Sequence, residues 1–228
     1  MKTLNAPTGD LLDTYFALQS GDAKHETAAT STLDVLWTLY DRVLRVDPAN
    51  PSDPARDRFL VSKGHGPQAL YAVLAAKGFF PVEWLATFGE FDSPLGHHPD
   101  RLLIPGVEIS SGSLGHGLPI ALGTALALDA QGMDGPRVVC LVGDGELDEG
   151  SNHEAIAVAA RLGVGRLQAV VVDNSSSRHG WPGGIAARFE VEGWRGVTVD
   201  GRDHYAIERA FSLQSPSVPL FVVAEVTR

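Results

Sequence analysis

The sequence predicts an α/β fold: a doubly wound parallel sheet with helices on both faces and a helical amino-terminal portion. Three observations carry that expectation. After residue 117, short apolar runs alternate with helical patterns, and strands that are apolar along their whole length belong to a parallel sheet covered on both faces. Two of these runs, RVVCLV and LQAVVVDN, stand one βαβ unit apart. The first 130 residues, by contrast, read mainly as helix.

In chain order, STLDVLWTLYDRVLRV (31–46) places Leu33, Leu36, Leu39, Tyr40, Val43 and Leu44 on one face at helical spacing, with Ser31 or Thr32 as its cap. The prolines of VDPANPSDPARD end that helix in a loop. PQALYAVLAAKG and PVEWLATFG each open with proline, which suits a first helical turn. FDSPLGHHPDRLLIPGVEISSGSLGHG (91–117) is irregular, and loops of this length in compact domains are usually functional or disordered. Then LPIALGTALALDA reads as a helix, RVVCLV as a strand, SNHEAIAVAARLG as a helix and LQAVVVDN as a strand. WRGVTVD is a further strand, HYAIERAFS a helix and PLFVVAEV the last strand.

The 228 residues suit a single domain, 1–228. Eighteen Lys and Arg against 28 Asp and Glu give a net charge of −10, which argues against nucleic acid or an anionic membrane as partner. The lone Cys140, inside VVCLV, excludes a disulfide framework within the chain and suits a reducing compartment. The amino terminus carries no signal-like apolar run, and no stretch approaches the roughly 20 apolar residues of a membrane span. A soluble, cytoplasmic protein is expected.

LVGDGELDEG runs a strand into four carboxylates, Asp144, Glu146, Asp148 and Glu149, with no cation among them. Asp144 ends one strand and Asn174 ends the next, thirty residues on. A right-handed crossover brings both to one edge of the sheet, beyond the carboxyl ends of the strands, where ligands collect. A carboxylate oxygen and an amide oxygen are hard ligands suited to Mg²⁺ or Ca²⁺. Mg²⁺ commonly completes its shell with phosphates and water, so a phosphate-bearing ligand is implied. Gly-Asp-Gly alone is a common turn; its spacing to Asn174, together with a glycine-rich loop elsewhere, carries the reading. Glu146 and Asp148 are expected to be solvated turn acids, and His153 and His204 surface or structural residues.

Gly-Asp-Gly followed by this Asn is the pattern of the diphosphate-binding domain of thiamine diphosphate enzymes. Over residues 20–226 the chain resembles the transketolase family in particular. RDRFLVSKGHGPQALYAVLAAKG is similar to that family's Gly-His-Gly segment. GHHPD and PGVEISSGSLGHG are similar to its Gly-His-Pro and Gly-Pro-Leu-Gly-Gln-Gly segments, and RFEVEGW and VDGRD to its later part. The resemblance implies thiamine diphosphate and Mg²⁺ as cofactors, with the side chains of Asp144 and Asn174 and the backbone carbonyl of Ser176 as metal ligands. Gly143 and Gly145 would let backbone approach the diphosphate, and Gly112, Ser113 and Leu114 would line the cofactor. Glu149 would hydrogen-bond across an interface to the partner's catalytic glutamate. His65 would contact the diphosphate or the reacting centre, and His25 and His98 would face the donor substrate; His98 is preferred to His97 because Pro99 follows it. Histidines suit proton transfer because their unperturbed pKa lies near 6.5.

The chain departs from the family pattern at several points. Around His25 the chain reads KHETAAT where the family has a glycine- and proline-rich turn after the His, Ser113 stands in place of Pro, and Arg178 and His179 replace an aliphatic residue and an Asp. No segment matches the second transketolase domain, which binds the aminopyrimidine ring and supplies the glutamate. The resemblance therefore implies one half of a split enzyme, inactive alone, joined to a separate pyrimidine-binding subunit in an α₂β₂ assembly. The implied reaction moves a two-carbon ketol or acyl unit from a ketose or 2-oxo acid donor to an acceptor. Two alternatives are a decarboxylating carboligase resembling deoxyxylulose-phosphate synthase and a non-catalytic cofactor-binding scaffold. A dinucleotide-binding oxidoreductase is weaker, because GSLGHG opens a helix after a loop and not after a strand.

Overall fold

The computed structural model describes residues 9–19 and 26–226. Five strands, β1 (Arg58–Val61), β2 (Val138–Gly143), β3 (Leu167–Asp173), β4 (Arg195–Asp200) and β5 (Leu220–Glu225), form one parallel sheet in the order β1-β2-β3-β5-β4. Seven α-helices accompany them among the described residues: α1 (Gly9–Ala17), α2 (Glu26–Thr38), α3 (Gln68–Ala76), α4 (Gly117–Ala130), α5 (Gly150–Arg161), α6 (Gly184–Glu190) and α7 (His204–Phe211).

The apolar strand runs follow from this layering. Alternate residues enter opposite cores, so a strand covered twice has no polar position to spare. Val139 and Leu141 of β2, with Val170 and Val172 of β3, join Leu36, Tyr71 and Phe211 of α2, α3 and α7. Val138, Cys140 and Val142, with Ala169 and Val171, join Leu118, Ile156 and Phe189 of α4, α5 and α6. Burial pushes the Cys140 thiol well above its ordinary pKa, so it packs as a small apolar group.

Several details differ from the sequence reading. RFLV forms β1, an edge strand inside the portion read as helical; it pairs in parallel with β2 from Arg58↔Val138 to Val61↔Leu141. α2 begins at Glu26, upstream of the expected cap, and at Leu39–Val43 it widens into a π turn in which the Leu44 N–H donates to the Leu39 carbonyl at 2.8 Å. There Tyr40 meets Phe59 and Phe79 edge-on, with ring centroids 5.4 and 5.9 Å away. PVEWLATFG gives only a short 3₁₀ segment, Val82–Thr87, and α6 occupies a stretch read without an element.

The amino edge of the sheet is closed by a charge knot. Asp57 is fully buried and accepts from Arg45 Nη2 at 2.8 Å and Arg137 Nη2 at 2.6 Å, and from both backbone N–H groups, at 3.0 and 2.8 Å. Arg166 there pairs with Asp129 at 2.7 Å. Arg45, Arg137 and Arg166 line a cleft of about 790 Å³, yet each already has a protein partner. No helix among the described residues is long and apolar enough to cross a membrane.

Candidate functional site

The carboxyl ends of three adjacent strands converge at the opposite edge. Ser62 to Gly66 leave β1, Asp144 leaves β2 and Asn174 leaves β3. Register fixes the last two: Gly143 pairs with Val172, and the Asp144 N–H donates to the Val172 carbonyl at 3.1 Å. Asp144 is buried, and its carboxylate accepts from the Ser176 and Ser177 N–H groups at 2.6 and 2.9 Å and from Ser176 Oγ at 2.5 Å. Asn174 is also buried; its Nδ2 donates to Ser31 Oγ at 3.2 Å, while its Oδ1 has no partner among the described residues. A buried carbonyl oxygen without a donor is costly. A Cβ on Gly145 would stand 3.8 Å from the Ser176 carbonyl oxygen, so that oxygen belongs to the same cluster. Carboxylate, amide and carbonyl oxygens form a hard donor set that fits Mg²⁺.

Glu146 corrects the sequence reading. It is buried, and its carboxylate accepts hydrogen bonds from the Ser62 hydroxyl, the Gly115 N–H at 2.9 Å and the Gly143 N–H at 3.2 Å. It therefore ties the end of β1, the glycine-rich loop and the end of β2 at one point. Burial raises its pKa, and the three donors pull the other way. Asp148 is exposed, as expected. Lys63, half-buried, donates from Nζ to Thr32 Oγ1 at 2.9 Å and lies along Gly143. Desolvation lowers its pKa to about 8 against the pull of Asp144 and Glu146.

The long loop brings the histidines together. His98 meets His65 edge-on at 5.2 Å, and a Cβ on Gly112, whose φ is +142°, would stand 2.8 Å from the His98 ring. Gly64 and Gly112 touch backbone to backbone, because a Cβ on Gly64 would lie 2.5 Å from the Gly112 nitrogen. His97 turns instead to Phe88, at 5.3 Å. Gly115 abuts Glu149, which opens α5, and its carbonyl accepts from Ser151 Oγ at 2.5 Å. Ser113 is exposed and Leu114 half-buried on the same loop. His25 lies outside the described residues.

A family model described as the thiamine diphosphate binding domain of transketolase matches residues 11–218. The chain belongs to the transketolase family. "Ferredoxin fas2" of Rhodococcoides fascians is 52% identical to this transketolase domain over 219 residues, spanning 96% of this chain and 72% of that protein. One of the subunits of the apulose-4-phosphate transketolase of Actinobacillus succinogenes is 36% identical over 211 residues, spanning 90% and 76%. The transketolase structure from Campylobacter jejuni superposes with a TM-score of 0.74 at 24% identity, covering 95% of this chain and 38% of that one, and so shares the fold. The cofactor is thiamine diphosphate with its usual partner ion Mg²⁺, and the class is transferase.

The remaining histidines are peripheral to this cluster. His116 Nδ1 contacts the Ser113 and Leu114 carbonyls at 3.2 Å, His153 meets Trp181 at 5.4 Å, and His204 pairs with Asp34 at 2.9 Å. Arg178 and His179 are exposed. Sequence reasoning missed Lys63, Ser62 and the buried role of Glu146; recognising β1 would have exposed the first two, since Ser62 and Lys63 directly follow its last residue.

Proposed function

We propose that this chain, as a single domain, is the diphosphate-binding subunit of a two-component transketolase. Asp144, Asn174 and the Ser176 carbonyl would hold Mg²⁺ carrying the cofactor diphosphate. The observation that carries this reading is the buried Asn174 Oδ1, without a partner among the described residues, beside the buried Asp144 at one sheet edge. Gly143 and Gly145 leave room at the turn, and Gly112, Ser113 and Leu114 line the approach. When bound, the cofactor supplies the electron sink for breaking and making a carbon–carbon bond. His65 and His98, packed together beside Gly112, move protons to and from the hydroxyl of a ketose donor, a role that the family resemblance extends to His25. Glu149 reaches a glutamate of the partner.

The relatives named as single subunits of apulose-4-phosphate transketolases support a separate pyrimidine-binding chain. An α₂β₂ assembly follows if sites lie between unlike chains. The donor is a ketose or 2-oxo acid, and a reducing cytoplasm suits the free Cys140. The ferredoxin name of the R. fascians relative does not carry over, because a ferredoxin cluster takes four cysteines and this chain has one. Calorimetric titration of Mg²⁺ and thiamine diphosphate, with the chain alone and with its partner subunit, tests the proposal. Binding that Asp144→Ala abolishes is expected; binding that survives the substitution would remove Asp144 from the metal site.

A further inference from the structure

Asn174 offers a metal its oxygen in only one of the two orientations of its amide, because a half-turn presents the NH₂ group in the same place. The other end of that amide is held by a residue from a distant part of the chain. Asn174 Nδ2 donates to Ser31 Oγ at 3.2 Å, across 143 positions of sequence, while Oδ1 has no partner among the described residues. Both residues are buried, Ser31 at 7% exposure and Asn174 at 5%, so water is poorly placed to replace the contact.

Ser31 stands on a firm support. The sequence reads it as a helix cap, but α2 starts at Glu26, so Ser31 lies inside the helix. The residues one and two turns further on, Val35 and Leu39, are fully buried in the core. Next to Ser31, Thr32 accepts from Lys63 Nζ at 2.9 Å. Two successive hydroxyls of α2 therefore reach the chain just beyond β3 and just beyond β1, on either side of the metal turn that follows β2.

We propose that Ser31 is a positioning residue for the metal site, an inference that rests on the site proposed above. Its hydroxyl oxygen takes the Asn174 N–H and so aims Oδ1 at the ion carried by Asp144. Without that acceptor the amide has a buried N–H to satisfy, and it turns to do so, taking Oδ1 with it. Groups that orient a metal ligand from behind are typically worth about 10- to 100-fold in metal affinity. Because α2 is packed into the core, the amide is placed before the ion arrives. Ser31 acts through Asn174 and takes no part in bond making.

The test is binding of Mn²⁺, a hard ion that takes the same oxygen donors, to the chain with its partner subunit and saturating thiamine diphosphate. Loss of the free-ion electron paramagnetic resonance signal reports binding independently of turnover. Ser31→Ala should weaken Mn²⁺ about tenfold; alanine is the best helix former, so α2 itself is kept. Ser31→Thr keeps the hydroxyl oxygen and should stay within about threefold of wild type. Thr38→Val, which removes a buried hydroxyl that donates to the Asp34 carbonyl of the same helix at 2.8 Å, should stay within about twofold. A loss confined to Ser31→Ala supports the assignment. Affinity in Ser31→Ala within about twofold of wild type, or an equal loss in Ser31→Thr or Thr38→Val, overturns it, since packing and not the oxygen would then be responsible. Asp144→Ala separates this inference from the site beneath it. If that substitution leaves Mn²⁺ binding unchanged, the metal site itself is wrong; if it abolishes binding and Ser31→Ala does not move it, only the role of Ser31 is.

Discussion

The two edges of the sheet treat buried polar groups differently. At the amino edge Asp57 is met by two arginines and two backbone N–H groups, and the neighbouring Arg166 has its own aspartate. At the carboxyl edge Asn174 Oδ1 and two Arg188 nitrogens find no partner among the described residues. The first arrangement is complete within the chain and serves stability. The second is incomplete among the described residues, as the proposed metal site requires.

Four experiments press on that contrast. Asp57→Asn should have the largest effect, a loss of about 3–5 kcal/mol in urea unfolding, because it leaves guanidinium groups without their buried counter-charge. Cofactor affinity should not move; a parallel loss of affinity would mean that the edges are coupled. Glu146→Gln comes next. An amide that must donate cannot satisfy the three donors that converge there, so stability should fall by about 1–3 kcal/mol. Unlike Asp57→Asn, it should also weaken cofactor binding in calorimetry, since it frees both the glycine-rich loop and the end of β1.

His98→Ala should change stability by less than about 0.5 kcal/mol, as an exposed side chain does. In the reconstituted two-subunit enzyme it should cut turnover by about 100-fold, in the range for a proton-transfer residue. Turnover within a factor of about two of wild type would exclude His98 from proton transfer. The smallest effect is acid sensitivity. Burial pushes the Asp57 pKa up, but the hydrogen bonds from Arg45 and Arg137 outweigh it together, so the folded value lies below the ordinary one. Its contribution is therefore fully present above the unfolded value of about 3.9 and is lost as pH falls through the lower folded value. Below about pH 4 wild type should lose stability more steeply than Asp57→Asn; parallel acid curves would contradict the assignment.

The sequence revealed what is periodic or spaced. The apolar runs of β2, β3 and β5 gave the sheet, and the thirty-residue interval placed Asp144 beside Asn174. β1 was hidden because RFLV is four residues long and flanked by Asp and Ser, too short to show a period. α6 was hidden behind Gly183 and Gly184, which read as loop. Glu146 read as solvated because its neighbours in sequence are acidic and turn-forming. Its burial comes from Ser62 and Gly115, 84 and 31 residues away, and no local pattern encodes such closure. Arg188 was passed over for the same reason, since a basic residue in a helix looks like a surface one until its surroundings are known.

The Glu146 junction also bears on how this protein can change. The segment from Phe88 to Leu114 leaves the 3₁₀ turn after Thr87 and returns where the Gly115 N–H meets that carboxylate. Between those moorings the chain has no helix or strand to keep in phase. It is held by single residues instead: Leu95 and Ile104 enter the core and Gly112 lies backbone to backbone against Gly64, so length and composition are free to vary only between those points.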